Sequence, residues 1–442
     1  MSNKLKPTTS KPDGKPVLTP KLRFPEFRKG EAWATEPMEH LYSFMRNNAL
    51  SRDKLNYEFG SAKNIHYGDI HTKFGTLFDI TQELVPYIND TEPLPPFDSE
   101  DYCVEGDLIF ADASEDTNDV GKTIEIARLN DERLLSGQHT ILARRKDKRL
   151  VLGFGGHLFR SDQIRTQIMK EAQGTKVYAI SPTRLRNIEV AFPKENKEQQ
   201  KIADCLNSLD ELIAARARKV NALKTHKQGL MQQLFPREGE TQPRRRFPEF
   251  EDAREWEIKM AGSLFANRIT KGEKGLPIYS VTMYDGMVRR DSFDRNFYDI
   301  EDAAGNKKVC RNDIAYNMMR MWQGALGVAP EDCLVSPAYI VLAPYKDSLS
   351  GFFHYMFKLP WIMLLLTSHS RGLTKDRLRL YYDDFARIPL PCPPLAEQQR
   401  IADCLTSLDD LIAAQNQKLA ALKTHKKGLM QQLFPSPEEV KA

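Results

Sequence analysis

The amino-acid sequence predicts a mixed α/β protein in which two variable modules alternate with two long helices, the helices pairing antiparallel as a coiled coil about a pseudo-twofold axis. Three observations lead there. Residues 198–236 recur as residues 397–435, with 30 of 39 positions identical. A shorter pair opens each half: PKLRFPEF at 20–27 returns as PRRRFPEF at 243–250. The offsets, 199 and 223 residues, differ, so the stretches between the shared ends differ in length as well as sequence. A repeat of this kind marks a duplicated structural unit. Two divergent modules on one duplicated frame imply a single task performed twice, on two targets.

In chain order, residues 1–19 are polar and rich in Lys and Pro, lack the apolar stretch of a signal peptide, and read as a disordered basic arm. The first module covers 20–193. Short alternating or apolar runs at 107–110, 124–127, 140–143 and 187–192 predict strands, punctuated by Gly, Pro and Asp. GFGG at 153–156 reads as a turn. The second module, 237–392, repeats the scheme with strands at 277–281, 313–316, 338–342 and 388–390 and a helical stretch over 352–367. The openings align at the offset of 223, Trp33 with Trp256 and Leu41 with Leu264. Each module reads as a mixed domain with a curved sheet whose strand order the pattern does not fix.

The repeated blocks, within 194–236 and 393–435, read as helices. With Ile202 at a d position, the a/d seam of the first runs Ile202, Leu206, Leu209, Ile213, Arg216, Val220, Leu223, Lys227, Leu230, Leu234. The second runs Ile401, Leu405, Leu408, Ile412, Gln415, Leu419, Leu422, Lys426, Leu429, Leu433. Eight of ten positions are apolar in each copy, and the polar breaks coincide. Spacings of 4 and 3 sustained in this way mark a coiled coil, so each helix needs a partner and the duplicate supplies it. Gly229 and Gly428 weaken the last turns, and Pro236 and Pro435 end them. Antiparallel pairing is the simpler closure. Outward residues recur as well: KTHK at 224–227 returns at 423–426, and Asp204, Gln232 and Gln233 have identical counterparts. Packing does not require that identity: recent duplication or a partner protein reading both faces alike would each account for it. Residues 436–442 form a tail.

A chain of 442 residues can bury several cores. Its net charge of +4 does not announce a nucleic-acid binder, so any basic surface has to be local. Six cysteines (103, 205, 310, 333, 392 and 404) show no CxxC pair and no metal-ligand spacing with histidine, and read as free thiols of a reducing compartment, by default the cytoplasm. No run approaches the ~18–20 apolar residues a membrane helix needs. Catalytic equipment is missing too. Gly121-Lys122-Thr123 lacks the upstream glycine of a phosphate-binding loop, and no GxGxxG opens a helix after a strand. No Asn-Pro-Pro-Tyr or Asp-Pro-Pro-Tyr run of an adenine methyltransferase occurs. Glu257-Ile258-Lys259 has the spacing of a metal-dependent nuclease motif, but Ala34-Thr35-Glu36 replaces it in the first half.

PPLAEQQRIADCLTSLDDLIAA at 393–414, the RFPEF openings, the tryptophan after each, and Gly106-Asp107-Leu108-Ile109 before a strand resemble type I restriction–modification specificity subunits. The resemblance covers 20–435. One departure is PKENKEQQ at 193–200, where the second copy has PPLAEQQ; it bears on how the first helix begins. The resemblance implies a noncatalytic chain whose modules are target-recognition domains, each reading one half of a split sequence in double-stranded DNA. It implies paired helices that fix the gap and dock two methyltransferase subunits, with restriction and translocation subunits joining for cleavage. No cofactor would bind this chain; S-adenosylmethionine, ATP and Mg would belong to the partners.

Candidate DNA-reading residues are those mixing basic, amide and aromatic groups around glycines. In the first module they are Lys63, His66, Tyr67 and Lys73, then Asn118 and Lys122 in the loop after strand 107–110, with Gln138 and His139 equally able to satisfy a turn. In the second they are Tyr279, Thr282 and Tyr284, then Asn317, Arg320, Trp322 and Gln323 after strand 313–316. Arginine and glutamine are the bidentate readers of guanine and adenine, which favours Arg320 and Gln323. The resemblance makes Arg371 and Lys375, matched by Lys176 in Gly174-Thr175-Lys176, backbone contacts. The basic run 144–149 reads as a solvated turn. Two other classes remain open: a self-sufficient nuclease or methyltransferase, which would turn over alone, and a protein-only scaffold, which would ignore DNA sequence.

Overall fold

The computed structural model describes residues 18–90, 97–283, 285–293, 303–374 and 377–436. The chain forms two compact units, one of residues 1–217 with 418–442, the other of 218–417. The long helices, Asn196–Leu234 and Leu395–Leu433, therefore each contribute one half to each unit. The departure at PKENKEQQ leaves the start of the first helix unchanged. Both helices are 39 residues long and begin at equivalent repeat positions. The Glu195 carbonyl accepts the Glu198 and Gln199 N–H groups as the Pro394 carbonyl accepts those of Glu397 and Gln398.

In the first unit a five-stranded sheet has the order Tyr42–Met45, Thr140–Arg145, Leu108–Ala111, Thr123–Arg128, Leu77–Asp79, antiparallel except for the last pair. A four-stranded sheet joins Leu134–Ser136, Lys63–Ile65, Tyr87–Ile88 and Leu55–Asn56. In the second unit Phe265–Asn267, Tyr339–Pro344, Ile314–Asn317 and Leu326–Val328 repeat the antiparallel part of the larger sheet. Each unit adds a two-stranded ribbon, Ala34–Pro37 with Glu189–Phe192 and Glu257–Met260 with Pro389–Cys392. At the turn into the central strand Gly106 and Asn312 both take positive φ, 92° and 69°. The next residue, Asp107 or Asp313, is buried, accepts the N–H three residues back, and pairs with Arg144 or Arg268.

Two elements differ from expectation. GFGG does not remain a turn: Gly153 (φ 89°) leads into the helix Phe154–Phe159. A Cβ on Gly156 would lie 3.0 Å from that of Glu125, so the glycines permit close helix-to-sheet packing that composition alone reads as a turn. The stretch 352–367 is two helices, Ser350–Met356 and Pro360–Ser368, because Pro360 cannot donate to the preceding turn.

The repeated motifs occupy equivalent places in the two units. Arg23 of the first RFPEF grips Glu198 through Nε and Nη2 at 2.7 and 2.6 Å; Arg246 of the second grips Glu397 at 2.9 and 2.5 Å. Both glutamates are 1% exposed. The adjacent Gln199 and Gln398 donate to the Pro193 and Pro393 carbonyls and accept the Val151 and Leu349 N–H groups. The helix segments run antiparallel within each unit. In the first, Lys426 Nζ bonds Asp210, and Phe434 meets the rings of Trp33 and Phe154. In the second, Lys227 bonds Asp409, and Phe235 meets Trp256 and Phe352. No a/d seam position named above is exposed.

A buried bidentate pair stripped of one partner leaves an uncompensated charge, at a cost of about 3–5 kcal/mol. Urea unfolding monitored in the second unit is expected to show a loss of that order for Glu397→Ala, and a smaller one for the apolar double variant Arg246→Met/Glu397→Leu. A second expectation concerns Glu125, buried on Thr123–Arg128 with Oε2 accepting the Gly156 N–H at 2.6 Å. Burial raises its carboxyl from 4.5 to about 7. Within that window the folded chain holds a proton that the unfolded chain releases, so this group's contribution falls as pH rises. Buried His157, depressed to about 4, slopes the other way. The difference between Glu125→Gln and the parent isolates Glu125: none is expected near pH 4, growing to about 3 kcal/mol in favour of the variant above pH 7. Hydrogen exchange of the 123–128 amides across pH checks it.

Candidate nucleic-acid interface

In the first module the structure brings His66 and Tyr67 together with Lys122 and His139, and leaves Lys63 apart. His66 caps the helix Tyr67–Thr72, its Nδ1 accepting the Gly68 N–H at 3.2 Å. Burial, then Arg52, lowers its pKa. The Tyr67 ring lies tilted against His66 at 4.6 Å and meets His71 and His139 edge-on at 6.0 and 5.3 Å. Lys122 donates to the His71 carbonyl at 2.8 Å, and His71 Nε2 lies 3.0 Å from the Ala113 carbonyl. His139, at φ 57°, approaches Asp112 at 3.3 Å, and burial raises the Asp112 carboxyl. Helix 67–72, loop 112–122 and turn 137–140 thus share one surface. Asn118 is exposed and donates its amide to Asp116. Lys73 pairs with Asp69, whose hydrogen bond raises its pKa. Lys63 lies aside, paired with Glu132 and over the Tyr87 ring.

A hairpin borders the same surface. Gln173 and Ala179 exchange backbone hydrogen bonds, Tyr178–Ala179 pairs with Ala113–Ser114, and exposed Lys176 occupies the turn between them. The second module repeats the device. Arg371 and Arg379 exchange backbone bonds, and Leu380 donates to Met318 as Ile180 does to Asp112. Glycine is required at each turn: Gly174 has φ 135° and Gly372 φ 153°, and a Cβ there would strike the Val177 or Arg377 carbonyl. Arg371 pairs with Asp384 and lies over the Tyr381 ring, and Leu373 is fully exposed. Lys375 lies outside the described residues.

Beside that hairpin runs the loop 317–324. Asn317 Oδ1 accepts the Met319 N–H, Arg320 is exposed, and Trp322 Nε1 donates to the Met319 carbonyl at 3.1 Å. Gln323 Oε1 accepts from Arg320 Nη1 at 3.3 Å. Arg379 approaches Met319 Sδ, joining hairpin to loop. Tyr279 is placed differently from these surface groups: it is buried, with its hydroxyl on Glu331 at 2.7 Å, and burial pushes its pKa up to about 12. Thr282 closes the hairpin between Tyr279–Val281 and Met287–Arg289, accepting the Asp285 N–H. Tyr284 lies outside the described residues. The arginines of 144–149 belong to the framework, Arg144 on Asp107 and Arg149 on Glu36 and Asp147. Glu257 and Lys259 pair with each other on a ribbon strand. Among the described residues no group of His, Cys, Asp and Glu is arranged to hold a metal ion.

The family model of the type I restriction modification DNA specificity domain matches residues 91–225 and 256–424. This chain belongs to that family. It is 24% identical over 427 residues to a Methanocaldococcus jannaschii protein described as the type I restriction enzyme MjaX specificity subunit, covering 93% of this chain and 95% of that protein. A 50-residue stretch, 11% of this chain and 12% of its counterpart, is 44% identical to the MjaVIII specificity subunit of the same organism. In fold, the chain resembles the S subunit of a type I system from M. genitalium, at TM-score 0.58, 14% identity and coverage of 95% and 100%. It also resembles a chain in a structure of type I system assembly and conformational transition, at 0.52, 16%, and 92% and 98%. No described helix is long and apolar enough to cross a membrane. The chain is thus a type I specificity subunit with two target-recognition domains.

Arg52, His71 and Asp112 join the first surface, and Met319 and Arg379 the second, although sequence pattern did not single them out. Arg52 reaches His66 and Asp69 from 14 and 17 residues away, with no local signal; the others neighbour a candidate in sequence or across a hairpin. Alanine at Gly174 or Gly372 is expected to cost about 1–3 kcal/mol of local order. Faster hydrogen exchange at 173–179 or 371–379, with the long helices unchanged, is the check.

Proposed function

We propose that each target-recognition domain reads one half of a split duplex sequence through the surface formed by its post-strand loop and glycine hairpin. The observation carrying this is that the two units share one framework, down to the Arg–Glu grips, while the loops at 112–122 and 317–324 differ. Lysine and arginine contacts to phosphates set affinity and register, and a few polar side chains read base edges. Two modest readers on one chain become selective together through effective concentration.

In this reading the chain is noncatalytic and works in the cytoplasm. The recurring outward Lys-Thr-His residues at 224–226 and 423–425 and the Gln-Gln residues of the long helices dock two methyltransferase subunits, and through them the restriction subunits; the paired helices set the gap between half-sites. S-adenosylmethionine belongs to the former partners, and ATP and Mg to the latter. The identity of the exposed Lys224-Thr225-His226 and Lys423-Thr424-His425 supports two like partners.

Co-expression with the neighbouring methyltransferase subunit, followed by long-read mapping of modified adenines, tests the proposal. A split, asymmetric motif with a fixed gap is expected. Exchanging residues 20–193 for those of a related chain should alter one half-site and leave the other; alteration of both would sink the two-reader scheme.

A further inference from the structure

The loop 317–324 holds its side chains in a defined arrangement. Arg320 N–H donates to the Asn317 carbonyl and Gln323 N–H to the Arg320 carbonyl, each at 3.0 Å. Gly324, at φ 82°, ends the turn Met321–Gln323. The Trp322 indole, bonded to Met319, ties the turn down. Among the described residues no carboxylate pairs with Arg320, whereas Asp384 holds Arg371. Among the described residues its polar side-chain partner is the neutral amide of Gln323.

A guanidinium has only donors, so the Gln323 atom facing Arg320 Nη1 has to be the carbonyl oxygen. That settles the orientation of the amide. Its carbonyl oxygen faces Arg320, so the couple is rich in donors: the remaining guanidinium N–H groups and the amide NH2. Of the base edges in the major groove, guanine alone offers two adjacent acceptors, O6 and N7. Adenine pairs N7 with an N6 donor, cytosine offers a donor, and thymine one acceptor beside a methyl. A glutamine free to turn would read adenine with carbonyl and NH2 together; in Gln323 one lone pair of that carbonyl is already committed to Arg320.

We infer that Arg320 reads a guanine in the half-site of the second target-recognition domain, with Gln323 as its positioning residue. The inference rests on the chain being a two-module DNA reader. In the first module the loop 112–122 has no such couple: Asn118 gives its amide N–H to Asp116, leaving its carbonyl and the carboxylate as acceptors.

The test uses the full chain in complex with its methyltransferase subunit, on duplexes carrying the motif found by methylome mapping. One guanine of one half-site should be required by the parent, with any other base costing about 10-fold or more in methylation rate. Arg320→Ala and Arg320→Lys should relax that position alone, and Gln323→Ala should weaken its discrimination without abolishing it. Replacing that guanine by 7-deazaguanine, which lacks the N7 acceptor, should slow the parent and leave Arg320→Ala unaffected. Asn118→Ala should leave this position as in the parent. Sequence-dependent methylation whose base preferences Arg320→Ala does not change, or slows equally on every sequence, would overturn the inference while sparing the two-reader scheme. Methylation without any sequence preference would overturn both.

Discussion

The bidentate grip of an arginine from each RFPEF opening on the buried glutamate at the start of each long helix is the constraint on which the rest depends. Desolvating both charges is expensive, and attraction offsets it only when geometry is close to ideal. Arg23 with Glu198 and Arg246 with Glu397 meet that condition. The grip ties the first residues of a module to the helix that follows its last strand, closing each module on itself. The neighbouring Gln199 and Gln398 lock the same junction through backbone groups of the loops before helices Phe154–Phe159 and Ser350–Met356.

The second constraint is register. An apolar a/d seam of leucines and isoleucines can slide by a heptad at modest cost, and polar residues placed on it remove that freedom. Lys227 and Lys426, which break the seam, reach Asp409 and Asp210 of the opposing helix. Both pairs satisfy one antiparallel register, because lysine and aspartate occupy the same repeat positions in each copy. The groups beside the pairs differ. Tyr355 bonds Asp409 in one unit, while His157 bonds Asn207 in the other. The scaffold is therefore duplicated at the helices and free to diverge in the modules it carries.

That division reappears at the candidate surfaces. In both units the chain leaves the central strand into a loop, and a hairpin turning on glycine packs beside it. The skeleton repeats because backbone bonds define it. The side chains presented do not: histidines and a tyrosine around Lys122 in one module, and an arginine, a glutamine and a tryptophan in the other. Constant backbone with variable side chains lets one fold carry two unlike surfaces without loss of framework stability.

The long helices, their antiparallel pairing and seam, and the central strands were legible because they depend on periodicity, which a linear sequence displays. So was the position of the candidate loops after the strand. Other features depended on which backbone comes near which. Lys63 lies on a strand beside Glu132, Tyr279 is turned inward onto Glu331, and GFGG is the start of a helix pressed on Glu125; local composition reads each as surface or turn. The opening arginines are recurrent letters in sequence, and their role appears only when a glutamate 175 or 151 residues away arrives at hydrogen-bonding distance. By itself the sequence determined a duplicated helical frame carrying two unlike modules. Tertiary structure alone decided which polar groups are satisfied inside and which remain at the surface, because hydrogen bonds between distant residues leave no periodic trace in the chain.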